Sequence, residues 1–240
     1  RYTGNWEKGK RDGDGTYSFA GQKKSEDLLA DHLFFGGTRY VGEWKNNKFN
    51  GKGSFKYTNG DTYEGFWKID MRHGKGIFTT YDGEHYEGDW KDDLRHGLGQ
   101  IEYKNCDSYK GNWVGDYMDG MGEMVYNNGD RYKGNWSKGI KQGVGEFQYA
   151  NGEIYDGSWI QNQKTGTGKY SYLNGDIYSG DWRAGVREGK GILKNLDGSI
   201  YDGNWVEDRK DGSGVYKYIN GDEYVGEWKN GKYHGQGTHT

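Results

Sequence analysis

A five-residue motif, Tyr-x-Gly-x-Trp, recurs ten times along the chain and contains all ten tryptophans. From Tyr40 onward, successive copies are spaced by 23 residues without a slip. A fixed period of this length is typical of repeat proteins, in which each supersecondary unit contacts only its neighbours. The sequence therefore predicts one repeat array over residues 1–240, with units that begin near Tyr2, Tyr40, Tyr63, Tyr86, Tyr109, Tyr132, Tyr155, Tyr178, Tyr201 and Tyr224.

Alternation of residue types within one unit predicts two β-strands. Tyr40, Gly42 and Trp44 alternate with mostly polar residues, and a period of two places them on one face of a strand. Gly51 and Gly53 begin a second alternating segment, which ends in a bulky residue. Each unit is thus predicted to be a β-hairpin with one aromatic and glycine face and one solvated face. The same positions of the next unit hold Tyr63, Gly65, Trp67, Gly74 and Gly76.

The glycines are expected to serve two different purposes. Pairs such as Gly51 and Gly53 leave bare backbone on which neighbouring aromatic rings can lie. Asn-Gly or Asp-Gly precedes most units, as at Asn59-Gly60, and this dipeptide favours a type I′ turn with positive φ at both central residues. Cys106 replaces the turn glycine in one unit, where we expect the backbone to relax.

The composition suits a single-layer sheet better than a protein with a thick core. Hydrophobic residues make up 31% of the chain, against roughly 45–50% in ordinary globular domains. The chain instead carries 45 glycines and is 17% aromatic. The predicted fold class is therefore all-β, an elongated single-layer array of about ten 23-residue hairpins. A doubly wound α/β enzyme and a TIM barrel are excluded by the scarcity of aliphatic residues.

The combined pattern of Tyr-x-Gly-x-Trp, Gly-x-Gly and Asn-Gly-Asp at a 23-residue period resembles the MORN (membrane occupation and recognition nexus) repeat family. The resemblance covers essentially the whole chain. It implies a hairpin array that acts as a scaffold. Settings of the family include radial spoke heads of cilia and flagella, protist cytoskeletal rings, junctional membrane complexes, and modules attached to lipid kinases or lysine methyltransferases.

One insertion interrupts the period, because Tyr2 and Tyr40 are 38 residues apart. The extra stretch falls at about 20–35 in the first unit, where Ser25 can cap a short helix. The insertion either covers the exposed end of the array or docks a partner. Its candidate partner-binding residues are Leu28, Leu29, Leu33, Phe34 and Phe35.

An apolar stripe is predicted on the solvated face. The residue between the paired glycines is polar or charged in most units, but three successive units have Leu98, Met121 and Val144 there. Contiguous exposed apolar residues often mark interaction sites. The stripe therefore either binds a partner or is covered by another segment of the protein.

The two long edges of the array differ in charge. The turn inside the hairpin carries a basic residue in nine units: Arg11, Lys48, Arg72, Arg95, Lys141, Lys164, Arg187, Lys210 and Lys232. The turns between hairpins carry acids, at Asp61, Glu84, Asp107, Asp130, Glu153, Asp176 and Asp222. Polar residues are common in turns for local reasons, so these edges are either structural or steer a complementary surface.

No catalytic constellation or ligand site stands out. His73 and His96 share one repeat position on adjacent units, about 10 Å apart, which is too far for both to bind one zinc ion. The carboxylates follow the repeat and form no isolated acid–base pair. The lone Cys106 fits a reducing compartment. We expect no enzyme activity, no cofactor and no metal, and the net charge of −3 argues against nucleic acid as a partner.

The leading hypothesis is a structural scaffold that binds proteins in a ciliary or flagellar axoneme, with the radial spoke head as the most plausible setting. This assigns the chain to the cytoplasm, the cytoskeleton and the cilium, with axonemal proteins as partners. The alternatives are a module that binds anionic lipid through the basic edge, which the near-neutral charge disfavours, and a targeting module for an attached enzyme.

The ends of the array are expected to take part in association. Unpaired end strands invite pairing with another chain, so a homodimer through the array ends is predicted. Because the chain begins at Arg1 and stops at Thr240 inside the tenth unit, we expect further sequence on both sides.

Overall fold

A computed structural model describes residues 1–19 and 37–240. The predicted insertion at 20–35, with Leu28, Leu29, Leu33, Phe34 and Phe35, lies outside the described residues. The described chain divides into two compact units, Arg1–Gly120 and Met121–Thr240.

The described residues form strands and no helix, which confirms the all-β fold class. Each unit of the repeat supplies two strands of one antiparallel sheet of twenty, and each strand pairs with the strands that precede and follow it in sequence. The strands are β1 Tyr2–Glu7, β2 Lys10–Ser18, β3 Gly37–Lys45, β4 Lys48–Tyr57, β5 Thr62–Lys68, β6 Met71–Thr79, β7 His85–Lys91, β8 Leu94–Glu102, β9 Ser108–Val114, β10 Tyr117–Val125, β11 Arg131–Ser137, β12 Ile140–Gln148, β13 Ile154–Ile160, β14 Gln163–Ser171, β15 Ile177–Arg183, β16 Val186–Lys194, β17 Ile200–Val206, β18 Arg209–Lys217, β19 Glu223–Lys229 and β20 Lys232–His239.

The aromatic face is the core of the sheet, as the alternation predicts. Tyr40 is fully buried and Trp44 is 4% exposed. The Tyr40 side chain lies across Gly42 and Gly53 of its own hairpin: a Cβ added to Gly53 would overlap the Tyr40 hydroxyl and lie 2.6 Å from a ring carbon. The hydroxyl donates a hydrogen bond to the carbonyl of Glu43 (2.9 Å). The expectation that glycine makes room for aromatic rings is therefore confirmed for Gly53. It is wrong for Gly51, which has a φ of 78° and lies against the Glu43 side chain rather than against a ring.

The turn types differ from those expected. The type I′ geometry occurs inside the hairpins, where Asn46 and Asn47 both have positive φ (50° and 70°). At Asn59-Gly60 only the glycine does (φ 98°), and Gly60 N–H donates to the carbonyl of Tyr57 (3.1 Å). The Asn-Gly turns are thus longer loops closed by a left-handed glycine. The prediction for Cys106 is also wrong, because Cys106 keeps a φ of 67°.

Candidate interaction surfaces

The basic residues of the hairpin turns lie between adjacent hairpins. The Arg72 guanidinium carbon is 4.2 Å from the ring centroid of Trp90, in the next hairpin, and Arg72 Nε is 3.1 Å from Asp93 Oδ1. The backbone N–H of Arg72 also donates to this carboxylate (2.8 Å). Seven residues take this position beside a tryptophan of the next hairpin: Arg11, Arg72, Arg95, Lys141, Lys164, Arg187 and Lys210.

This packing removes much of the basic edge from solvent. The side chains of Arg72 and Arg187 are 19% and 17% exposed. Burial lowers the pKa of Lys210 to about 8. Lys48, which occupies a neighbouring turn position, forms an ion pair with Asp70 (2.7 Å). The tertiary structure therefore favours the structural interpretation of the basic edge over a free surface that steers a partner.

The turns between hairpins are connected by their acids. Asp61 accepts hydrogen bonds from the Asn59 side chain (2.8 Å) and from the backbone N–H of Tyr81 in the following turn (2.9 Å). Asp176 accepts one from the backbone N–H of Leu196 in the same manner (2.9 Å). These donors are neutral, so these contacts pair neither carboxylate with a cation.

A groove of about 1,070 Å³ lies on the solvated face of unit 1–120. Its floor is the backbone of the central glycines of β3 to β9, whose aromatic side is covered by the tyrosine rings. Because these glycines pair across successive strands, as Gly42 does with Gly53, they form a continuous row. The part of the row that lines the groove runs from Gly42 to Gly111 and spans about 29 Å at about 4.8 Å per strand.

One wall of the groove holds two acids around an aliphatic residue and ends in Gln100 and Lys110. Ser54 of β4 pairs with Glu64, and Glu64 pairs with Ile77. Ile77 in turn pairs with Glu87, so the two carboxylates flank one aliphatic side chain. Ile77 is 37% exposed and Val41, at the start of this wall, is 39% exposed.

The opposite wall combines apolar and basic residues. Lys52 pairs with Phe66, which is 39% exposed, and the Lys52 ammonium lies 5.6 Å from the Phe66 ring centroid. Lys75 forms an ion pair with Asp89 (2.8 Å). Leu98, 61% exposed, lies at the far end of this wall. Since residues on either side of a glycine are about 7 Å apart, the groove is one extended chain wide.

The predicted stripe of Leu98, Met121 and Val144 is exposed, but only one of its three residues lines this groove. Leu98 lines it, whereas Met121 (51% exposed) and Val144 (63% exposed) belong to unit 121–240. Val144 lies opposite Ser158 of β13. Sequence reasoning missed Phe66 and Ile77, although their signal was present: each is an apolar residue at a position that is polar in most other units.

The titratable groups are distributed rather than clustered. Within residues 1–19 and 37–240, no three His, Cys, Asp or Glu side chains are arranged to hold a metal ion. Cys106 is exposed. The same part of the chain contains no helix with the length and hydropathy needed to cross a membrane.

Comparison with known proteins gives one family match and distant structural likenesses. The fold resembles the TCP10 domain of Danio rerio CPAP (13% identity, TM-score 0.46, 81% of this chain and 92% of that one). It also resembles the TCP domain of Drosophila melanogaster SAS-4, solved with a proline-rich motif of Ana2 (16% identity, TM-score 0.40, 63% of this chain and 83% of that one). No curated protein matches the sequence.

The family match covers nearly all of the chain. The MORN repeat is found at residues 2–22, 40–62, 63–85, 86–105, 109–131, 132–154, 155–177, 178–200, 201–223 and 224–240. These boundaries agree with the 23-residue units and with the hairpins of the sheet. The chain belongs to the MORN repeat family.

Proposed function

We propose that this chain is a non-catalytic scaffold that binds proteins, and that it takes up an extended segment of a partner in the groove of unit 1–120. The groove is the observation that carries the proposal. Its length of about 29 Å accommodates about nine residues of extended chain, at about 3.3 Å per residue. Its floor is bare backbone, because the side-chain direction at each central glycine is toward the tyrosine rings on the other face of the sheet.

The walls define the chemistry of the segment. Phe66, Ile77 and Leu98 provide apolar contacts, each one exposed by more than a third. Glu64 and Glu87 on one wall and Lys52 on the other favour a segment that carries both signs of charge. Exposed apolar residues in a groove rimmed by charges are typical of protein interaction sites.

The test of the groove is a triple substitution, Phe66→Ser, Ile77→Ser and Leu98→Ser, in the tagged full-length protein. We expect the proteins that crosslink to the unmodified chain to be lost from the variant. The matched control is Ile69→Ser, Leu94→Ser and Val114→Ser, which removes three exposed apolar residues of the same unit outside the groove. Equal loss in both variants, or no loss in either, contradicts the proposal.

The cellular setting that we propose is the axoneme of a cilium or flagellum, as a component of the radial spoke head. Its support is the MORN array that fills the chain and the mixed charge of 33 basic and 36 acidic residues. Microscopy of the tagged protein in ciliated cells, with its crosslinked neighbours identified, tests this setting. Absence from cilia overturns it and leaves the alternative of a targeting module for an enzyme, which the sequences flanking this chain would reveal.

Lipid binding is the less favoured alternative, because most turn cations pack against tryptophans rather than facing solvent.

Association through the end strands of the array is a further part of the proposal. Trp6 of β1 is 60% exposed, whereas the other nine tryptophans are 2–5% exposed, and every residue of β20 is exposed. Pairing of β1 or β20 with a strand of a second chain would cover Trp6 or the exposed residues of β20. Light scattering of the protein alone tests this, and a monomer at all concentrations contradicts it.

A further inference from the structure

Three aliphatic side chains recur at one exposed turn position in unit 121–240. Leu173, Leu196 and Ile219 are each the second residue of a loop between two hairpins, and they are 70%, 75% and 76% exposed. The equivalent residues of the two preceding loops of this unit are Asn127 and Ala150. Turns normally hold polar residues at such positions, so neither the fold nor the turn accounts for three aliphatic residues.

The tertiary structure holds the two leucines of the row in place. A Cβ added to Gly175 would lie 2.9 Å from Leu196 Cδ1, and one added to Gly152 would lie 3.9 Å from Leu173 Cδ1. Each leucine therefore lies against the bare glycine of the preceding loop. The backbone N–H of Leu196 is fixed by the Asp176 carboxylate (2.9 Å). Successive members are about 9.6 Å apart, the width of two strands.

Acidic residues recur in the turns that carry the aliphatic row. The turns of this unit carry Asp130, Glu153, Asp176, Asp197 and Asp222. The salt bridges found within the described part of this unit, Arg187–Asp208 and Lys229–Asp211, involve none of them. Glu153 accepts hydrogen bonds from Asn151 and Tyr170, which lower the pKa of its carboxyl. Hydrogen bonds from Ser199 do the same for the pKa of Asp197.

A cleft of about 530 Å³ adjoins the row, and both apolar and acidic residues line it. Leu173, Leu193 and Tyr172 supply its apolar lining, and Glu153, Asp176 and Asn174 supply its polar lining. Arg187 also lines the cleft, but its guanidinium is paired with Asp208 (3.0 Å), so the two carboxylates are the groups left for an incoming cation. A lysine or arginine side chain suits such a cleft, because its aliphatic stem packs on apolar surface while its charged end reaches a carboxylate.

We propose that the row of Leu173, Leu196 and Ile219, with its flanking carboxylates, docks a basic amphipathic helix of a partner protein. Seven residues of a helix, nearly two turns, advance about 10.5 Å, close to the spacing of about 9.6 Å between members of the row. The carboxylates select lysine and arginine on either side of the apolar stripe of the helix. An anionic membrane is repelled by the same carboxylates. This surface is separate from the groove, so the two can be tested independently.

The experiment uses three synthetic 21-residue peptides and the full chain. The first has leucine every seven residues with lysine beside it on a helix-forming background, the second has glutamate in place of lysine, and the third has the composition of the first in shuffled order. Fluorescence anisotropy measures their binding. We expect the first peptide to bind and the other two to bind at least about tenfold more weakly.

Substitution locates the site. The variant Leu173→Ser, Leu196→Ser, Ile219→Ser should weaken binding of the first peptide by about tenfold or more, since it removes three apolar contacts. The control Ile160→Ser, Val206→Ser, Val225→Ser removes three exposed aliphatic residues of the same unit and should leave binding unchanged. The proposal is overturned if the first variant binds the first peptide as tightly as the unmodified chain does, or if the shuffled peptide binds as tightly as the first peptide. It is also overturned if the first variant abolishes self-association of the chain, because the row would then be an interface between two copies. Thermal unfolding of both variants near that of the unmodified chain confirms that they fold.

Discussion

Arg95 places its guanidinium carbon 4.3 Å from the ring centroid of Trp113, and the two residues belong to different hairpins. Arg95 also bonds through Nε to Asp116 Oδ1 (3.0 Å) and through its terminal nitrogen to the carbonyl of Asp116 (3.1 Å). One side chain thus connects a tryptophan and a turn of the next hairpin. Because the same arrangement recurs along the sheet, it explains how independent hairpins become one cooperative structure.

Arg95→Ala should therefore reduce the free energy of unfolding by about 1–2 kcal/mol, through loss of the cation–π contact and the hydrogen bonds to Asp116. Urea unfolding measures this. Lys169→Ala, on the solvated face, is the control and should change the free energy by less than about 0.5 kcal/mol. Similar losses in both variants would mean that the contact between hairpins contributes little.

Gly53→Ala should destabilise the protein by about 3 kcal/mol, because the added methyl group overlaps the buried ring of Tyr40. The test is a double-mutant cycle measured by urea unfolding. In a Tyr40→Ala background the overlap is absent, so the same glycine substitution should cost much less. Additive effects of the two substitutions would show that the ring is not the reason for the glycine.

Cys106→Gly should stabilise the protein by about 1 kcal/mol, because Cys106 has a φ of 67° and is the only residue other than glycine at this turn position with positive φ among the described loops between hairpins. Thermal unfolding under reducing conditions measures the gain. Cys106→Ala is the matched control: it removes the thiol but retains a Cβ, so it should give no gain. Equal stabilisation by alanine would assign the effect to the thiol rather than to the backbone.

Burial of Lys210 should make the free energy of unfolding depend on pH. Burial lowers its pKa to about 8 in the folded protein, while its value in the unfolded chain is about 10.5. The unfolded state therefore binds more protons between these values, and stability rises with pH from about 8 to about 10. Below pH 8 the folded state carries the full cost of burying the charged form.

Lys210→Met tests this interpretation, since methionine fills the space without a charge. The variant should exceed the unmodified chain in stability most at pH 7, and the difference should shrink as pH rises to about 10. Lys169→Met controls for the removal of an exposed lysine. A difference that is constant across this range would contradict the effect of burial on Lys210.

Much of the fold follows from local alternation. The positions of Tyr40, Gly42 and Trp44 predict a strand and its buried face, because successive side chains of any strand point to opposite sides. The period of 23 residues then predicts where the next hairpin begins. The groove was only partly foreseen: Leu98 was identified, but the pairing that places Phe66 and Ile77 beside the same glycine row depends on the register between strands.

The sequence by itself determined the ten hairpins, the aromatic face and the family, since these depend on residue types at fixed spacing. Only the tertiary structure decided what the basic residues contact and which type each turn adopts. Arg72 looks like a free surface cation in the sequence, but Asp93 and Trp90 come from the next hairpin. They come beside Arg72 because β6 pairs with β7 in a register that places Gly74 opposite Trp90, and the spacing of residues within one unit does not give the register between hairpins.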